Sequence, residues 1–129
     1  MRVLIVEDDA LIALGYQAVL KEAGHECVGT AASASAALKL AANVDADVAL
    51  VDLRLADGVT GNAVAVELSQ AHRLLPIIIT ANLDMVSPAA KLACFALLPK
   101  PLSYHSLRAA LDAAQQAISV GSDRTSLPA

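Results

Sequence analysis

Aromatic residues are almost missing: the 129-residue chain has no tryptophan, one phenylalanine and two tyrosines, 2% in all. A core without rings must be filled by Ala, Val, Leu and Ile. At 57% hydrophobic residues there is enough material for one compact domain, and the length leaves little room for a second. Basic residues are also scarce. Nine Lys and Arg stand against thirteen Asp and Glu, a net charge of −4, and no Lys/Arg cluster occurs. Neutralising nucleic-acid phosphates requires such a cluster, so the composition argues against direct nucleic-acid binding.

Long apolar runs are lacking too. The mean hydropathy is positive, yet no segment approaches the about 20 consecutive apolar residues of a spanning helix. The opening Met1–Val6 runs straight into Glu7-Asp8-Asp9, unlike a signal peptide. The expectation is a cytoplasmic protein with no membrane insertion. Cys27 and Cys94 lack metal-ligand spacing and read as reduced, mostly buried thiols. His25, His72 and His105 stand far apart, again without ligand spacing.

What is present alternates. Arg2–Val6 is an apolar strand, and Leu11, Leu14, Ala18, Val19 and Ala23 follow at helical spacing up to Gly24, a C-terminal glycine. A weaker strand, Glu26–Thr30, precedes an Ala-rich helix from Ser35 to Ala42. Val48–Val51 ends at Asp52; after an Asp57-Gly58 turn, Asn62–Ala71 is again helical. Pro76 opens the β-branched run Ile77–Thr80, Ala81–Leu92 is ambiguous, and Ala93–Leu98 is apolar. Ser103 caps a last helix to about Ile118, and 120–129 reads as a polar, disordered tail. Five β-α units with strands apolar throughout predict a parallel sheet covered by helices on both faces.

In such sheets ligands gather at the carboxyl ends of the strands. Those ends carry Glu7-Asp8-Asp9, Asp52, Thr80 and Lys100-Pro101. Three carboxylates brought together there repel one another unless a cation lies between them. Mg²⁺, a hard ion that takes oxygen ligands, suits the set, and a carboxylate can act as nucleophile toward a phosphoryl group. Asp9 reads instead as a cap or surface acid.

The stretches Val3–Asp9, Ala49–Leu55, Ile78–Ala81 and Leu98–Leu102 resemble, in order, the four signatures of response-regulator receiver domains. The resemblance covers residues 1–119 and implies a flavodoxin-like (βα)5 fold, a three-layer sandwich whose parallel sheet has the order 2-1-3-4-5. It implies Asp52 as phosphoacceptor, Thr80 as switch hydroxyl and Lys100 as cationic partner. Mg²⁺ is then held by Glu7, Asp8, Asp52 and the backbone carbonyl of Arg54, and Lys100–Pro101 is a cis peptide. The implied partners are a sensor histidine kinase or histidine phosphotransfer protein and an unknown downstream protein; no phosphodonor histidine is expected in this chain. The implied role is a non-enzymatic, stand-alone switch or phosphate sink, similar to single-domain receivers of alphaproteobacteria. A small Mg²⁺-dependent phosphatase of flavodoxin-like fold, or a receiver excised from a hybrid kinase, are the alternatives.

Two features depart from the family pattern. Receivers usually carry Tyr or Phe three residues before the lysine, where this chain has Leu97. Phe95 lies two residues earlier and would share the face of Leu97 in a regular strand. The Thr80–Lys100 interval of 20 residues is short and contains Pro88, so the fourth helix should be short or mobile.

Overall fold

The computed structural model describes the backbone of residues 1–126 and side chains through 121. Its strands are β1 (Arg2–Val6), β2 (Glu26–Ala31), β3 (Val48–Asp52), β4 (Leu75–Thr80) and β5 (Ala96–Pro99). Between and after them run α1 (Ala10–Glu22), α2 (Ala34–Asn43), α3 (Gly61–His72), α4 (Pro88–Ala93) and α5 (Tyr104–Ser126), with a 3-10 turn at Leu83–Met85. All strand pairings are parallel and the order is β2-β1-β3-β4-β5, as the resemblance implied.

The unbroken apolar strands serve two cores, because alternate residues point to opposite faces. Val3 and Ile5 of β1 join Leu50, Ile77, Leu20, Leu107 and Leu111 on the α1/α5 side. Leu4 and Val6 join Val51, Ala37, Ala41, Val64 and Leu68 under α2 and α3. A smaller cluster, Leu53, Ala65, Ile78, Val86 and Ala90, fixes α3 to α4. Each fully buried aliphatic side chain contributes roughly 1.5–3 kcal/mol, which anchors the strand ends where the polar residues emerge.

Helix ends follow the local chemistry. Asp9 caps α1, accepting from the amides of Leu11 and Ile12 at 2.9 and 3.3 Å, and Gly24 (φ +82°) takes the left-handed turn after it. Ser103 Oγ accepts from Ser106 N at the start of α5, as read from the sequence.

Several boundaries move. Pro88 does not interrupt a helix: it occupies the first turn of α4, where its missing N–H costs nothing, and Ser87 caps that helix through Ala90 N. The fourth helix is short, as expected. Helix α5 continues past Ile118 to Ser126, since no proline or left-handed residue intervenes, so the boundary drawn at 119 falls inside it. Residues 127–129 of the expected tail lie outside the described residues. Strand β5 starts only at Ala96, so Phe95 does not share a face with Leu97. Phe95 packs with the α1/α5 core, whereas Leu97 packs against Leu53, Ile78, Val86 and Ala90. The two cysteines are free and half-buried.

Candidate functional site

Parallel pairing puts the carboxyl ends of β1, β3, β4 and β5 along one edge. Glu7 and Asp8 follow β1, Asp52 closes β3, Thr80 closes β4, and Lys100 follows β5. One oxygen each of Glu7, Asp8 and Asp52 can lie within 4.8 Å of the others. Glu7 is buried, Asp52 partly so, and Asp8 exposed. The remaining polar groups of the edge surround this trio.

Lys100 Nζ donates to Asp52 Oδ2 at 2.9 Å and lies 3.5 Å from Glu7 Oε1. Its own amide donates to Thr80 O at 2.9 Å, tying β5 to β4 where both meet the site. The Lys100–Pro101 peptide is cis. Thr80 is buried, and its hydroxyl is engaged with the backbone of Asn82: it accepts from the amide at 3.1 Å and donates to the carbonyl at 3.3 Å. Arg54 sends its amide toward Asp52 Oδ1 at 3.4 Å and its guanidinium across to Met85 Sδ at 3.7 Å. Asp52, Arg54, Thr80, Asn82, Met85 and Lys100 line a recess of about 190 Å³.

The electrostatics follow from crowding. Burial, then the neighbouring Asp52, pushes the Glu7 carboxyl up to about 8. Neither Glu7 oxygen has a hydrogen-bond partner when it is ionised. A proton on Glu7 supplies one, donated toward Asp52. Burial also works to raise Asp52, but the bonds from Glu7 and Lys100 and the lysine charge outweigh it and hold that carboxyl below its usual range. For Lys100, burial opposes the charged form, while the bond to Asp52 and both carboxylates raise its pKa. The orphaned Glu7 oxygens beside two more carboxylates form an all-oxygen donor set, which fits Mg²⁺ or a similar hard divalent ion.

Some contributors were not singled out from the sequence. Tyr16, on the second turn of α1, is near enough for Lys100, Glu7 and Asp52 to influence it; burial mainly pushes its hydroxyl up to about 12. Asp57 was read as a turn former beside Gly58 (φ +110°). Its carboxylate also accepts from Ala34 N, Ser35 N and the Thr60 hydroxyl, bracing the loop after Asp52 against α2. Gly61 lets α3 approach β3, and Asn62 reaches the segment after β4. Of the histidines, His25 is buried at the opposite end of the sheet, its Nδ1 2.9 Å from the Met1 amino group.

Comparison with known proteins identifies the family and the fold. The family model described as "response regulator receiver domain" matches residues 3–112. The transcriptional regulatory protein PdtaR of Mycobacterium tuberculosis is 33% identical over 118 residues, which cover 88% of this chain and 56% of that protein. The phyllosphere-induced regulator PhyR of Methylorubrum extorquens is 34% identical over 80 residues, 61% of this chain and 30% of that protein. The chain thus spans about half or less of the length of these curated relatives. Among solved structures, the signal receiver domain of a modulated diguanylate cyclase from Desulfovibrio desulfuricans superposes with a TM-score of 0.82 at 28% identity, covering 93% of this chain and 97% of that one. The response regulator PhyR from Brucella abortus gives 0.78 at 27%, covering 96% and 52%.

Proposed function

Since this chain belongs to the response regulator receiver domains, we propose that Asp52 accepts a phosphoryl group from the histidine of a sensor kinase or phosphotransfer protein. The observation that carries this reading is the Asp52 carboxylate at a strand end, bonded by Lys100 at 2.9 Å and set beside Glu7 and Asp8.

In the transfer, an Asp52 oxygen attacks phosphorus, the bond from phosphorus to the donor nitrogen breaks, and the electron pair leaves with the imidazole. Lys100 neutralises charge on the phosphoryl oxygens from its place between Asp52 and Glu7. Glu7, Asp8, Asp52 and the carbonyl of Arg54 would hold Mg²⁺, which supplies further charge neutralisation when bound. Thr80 gives up its bond with Asn82 to reach a phosphoryl oxygen, and that exchange releases the segment after β4 at its Asn82 end. Since Leu97 lies in the α3/α4 cluster, no ring follows the hydroxyl, and the change spreads through Val86 and Ala90 instead.

A recess of about 190 Å³ suits a phosphoryl group attached to the protein itself, while pockets for separate organic substrates usually enclose about 300–1,000 Å³. This favours a stoichiometrically modified switch over a phosphatase turning over external substrate. A donor histidine must approach Asp52 beside α1, whose first turns present Leu11 and Leu14 at 79% and 57% exposure. We read the protein as a cytoplasmic switch that signals by protein–protein contact or drains phosphate. Intact-mass analysis with acetyl phosphate and Mg²⁺ tests the assignment: the wild type gains one phosphoryl group and Asp52→Asn gains none. An Asp52→Asn variant that still gains the mass rejects it.

A further inference from the structure

The segment after β4 is held from outside by one side chain. Asn62, partly buried on the first turn of α3, donates from Nδ2 to Met85 O at 2.9 Å and accepts from Ser87 N at 3.0 Å. These two groups flank Val86, whose backbone is extended (φ −73°, ψ 120°). The amide thus pairs with both sides of one residue, as a neighbouring β-strand would. Just before Val86, the Met85 side chain faces the recess over Asp52, with its Sδ 3.7 Å from the Arg54 guanidinium. Arg54 and Met85 together form one wall of the recess over the acceptor carboxylate, and Asn62 fixes the backbone from which Met85 projects.

We propose that Asn62 is a positioning residue that pins Met85 over the phosphoacceptor recess and thereby sets how long the phosphoryl group survives. The inference rests on the reading of Asp52 as phosphoacceptor. Loss of the group is a hydrolysis: a water oxygen attacks phosphorus, the bond from phosphorus to the Asp52 oxygen breaks, and the free carboxylate and inorganic phosphate remain. One path for that water crosses the wall formed by Arg54 and Met85. With the clamp intact, Met85 stays in place and admission is restricted. With it cut, the segment remains attached through Val86, which is 4% exposed, but Met85 moves more freely and water enters more often.

Four proteins test this: wild type, Asn62→Ala, Met85→Ala and the double variant. Each is phosphorylated with acetyl phosphate and Mg²⁺, freed of donor, and followed by intact mass. Hydrogen exchange at the Ser87 amide is measured separately on the unphosphorylated, metal-free proteins. Asn62→Ala should shorten the phosphoryl lifetime roughly three- to tenfold, the rate equivalent of one or two ordinary hydrogen bonds, and speed exchange at Ser87. Met85→Ala should shorten the lifetime while leaving Ser87 protected. The double variant should decay no faster than Met85→Ala alone, because Asn62 acts through Met85. A further variant, Asn62→Asp, keeps the acceptor for Ser87 N and should retain most of the protection there. An Asn62→Ala protein with faster exchange but an unchanged lifetime overturns the proposal, as does a double variant in which the two effects multiply. A wild type that never gains the phosphoryl mass removes the underlying reading, and the lifetime claim with it.

Discussion

The Lys100 ammonium donates to Asp52 Oδ2 at 2.9 Å across a sequence separation of 48 residues. The lysine side chain is 24% exposed and the aspartate 13%, so neither charge is well solvated. Lys100 is also the cation nearest Glu7. Replacing it with an apolar residue removes the donor to Asp52 and the cation beside Glu7. Lys100→Met should cost roughly 1–3 kcal/mol in the metal-free protein, the usual penalty for stranding a buried polar partner. Urea unfolding at pH 7 in the presence of EDTA measures it. An unshifted midpoint would mean that the pair contributes nothing to the fold.

Divalent metal should act in the opposite direction from this crowding. Anything that binds only the folded state stabilises it by mass action, on the order of 1 kcal/mol at ten times its dissociation constant. Millimolar Mg²⁺ should therefore raise the melting temperature of the wild type. Asp8→Asn removes one of the three carboxylates able to converge, and should lose most of that gain while melting no lower than the wild type without metal. A wild-type curve insensitive to Mg²⁺ would count against the site as a metal centre.

Far from the site, His25 should give the protein a distinct acid sensitivity. Burial, and then the positive charge of the Met1 amino group, lower its pKa from the ordinary 6.5; Arg108 adds to this and Asp112 opposes it. In the unfolded chain the imidazole titrates near its ordinary value, so just below about 6.5 the unfolded state binds more protons than the folded one. By linkage, stability rises with pH through that window: it is fully present above about 6.5 and lost as the pH falls toward the folded-state value. Stability measured by urea from pH 7.5 to 5 should decline in the wild type and decline less in His25→Gln. Equal slopes would show that His25 carries no part of the acid sensitivity.

Much of this was legible because the signals were local. Four apolar runs that lead into polar residues, with one weaker strand beside them, suffice to infer a parallel sheet and the edge where Glu7, Asp8, Asp52, Thr80 and Lys100 meet. Asp9 and Ser103 declared their capping roles by position. What stayed hidden depended on geometry between elements. Pro88 looked like an interruption because its meaning depends on whether a helix precedes or follows it, and only Ser87 as cap decides that. Phe95 seemed to share a face with Leu97 because strand alternation was extended one residue beyond the true start of β5. Asn62 appeared as an ordinary helix residue, since nothing in the sequence reveals that Met85 and Ser87, 23 and 25 positions later, bring a carbonyl and an amide to it.

Gly61 provides the last test, because it shows how closely the first turn of α3 must approach the strand that ends in Asp52. A Cβ at this position would lie 2.1 Å from Asp52 O and 2.5 Å from Leu53 Cα. Both are backbone atoms, so no side chain can swing aside to make room. The Gly61 amide also donates to Leu53 O at 3.0 Å, and moving α3 outward would break that bond. Gly61→Ala therefore cannot be accommodated without displacing β3 from α3. Overpacking of this kind typically costs roughly 1–3 kcal/mol, and here the displaced group is the peptide of the proposed phosphoacceptor itself. The variant should lose stability of that order in urea unfolding and, under conditions where it remains folded, take up phosphoryl from acetyl phosphate more slowly than the wild type. Gly15→Ala is the internal control. Gly15 lies in α1 with open space around it, and alanine there should raise stability, by up to about 1 kcal/mol, through helix propensity. If Gly61→Ala were as stable and as readily phosphorylated as Gly15→Ala, the close contact between α3 and β3 would not be what holds Asp52 in place.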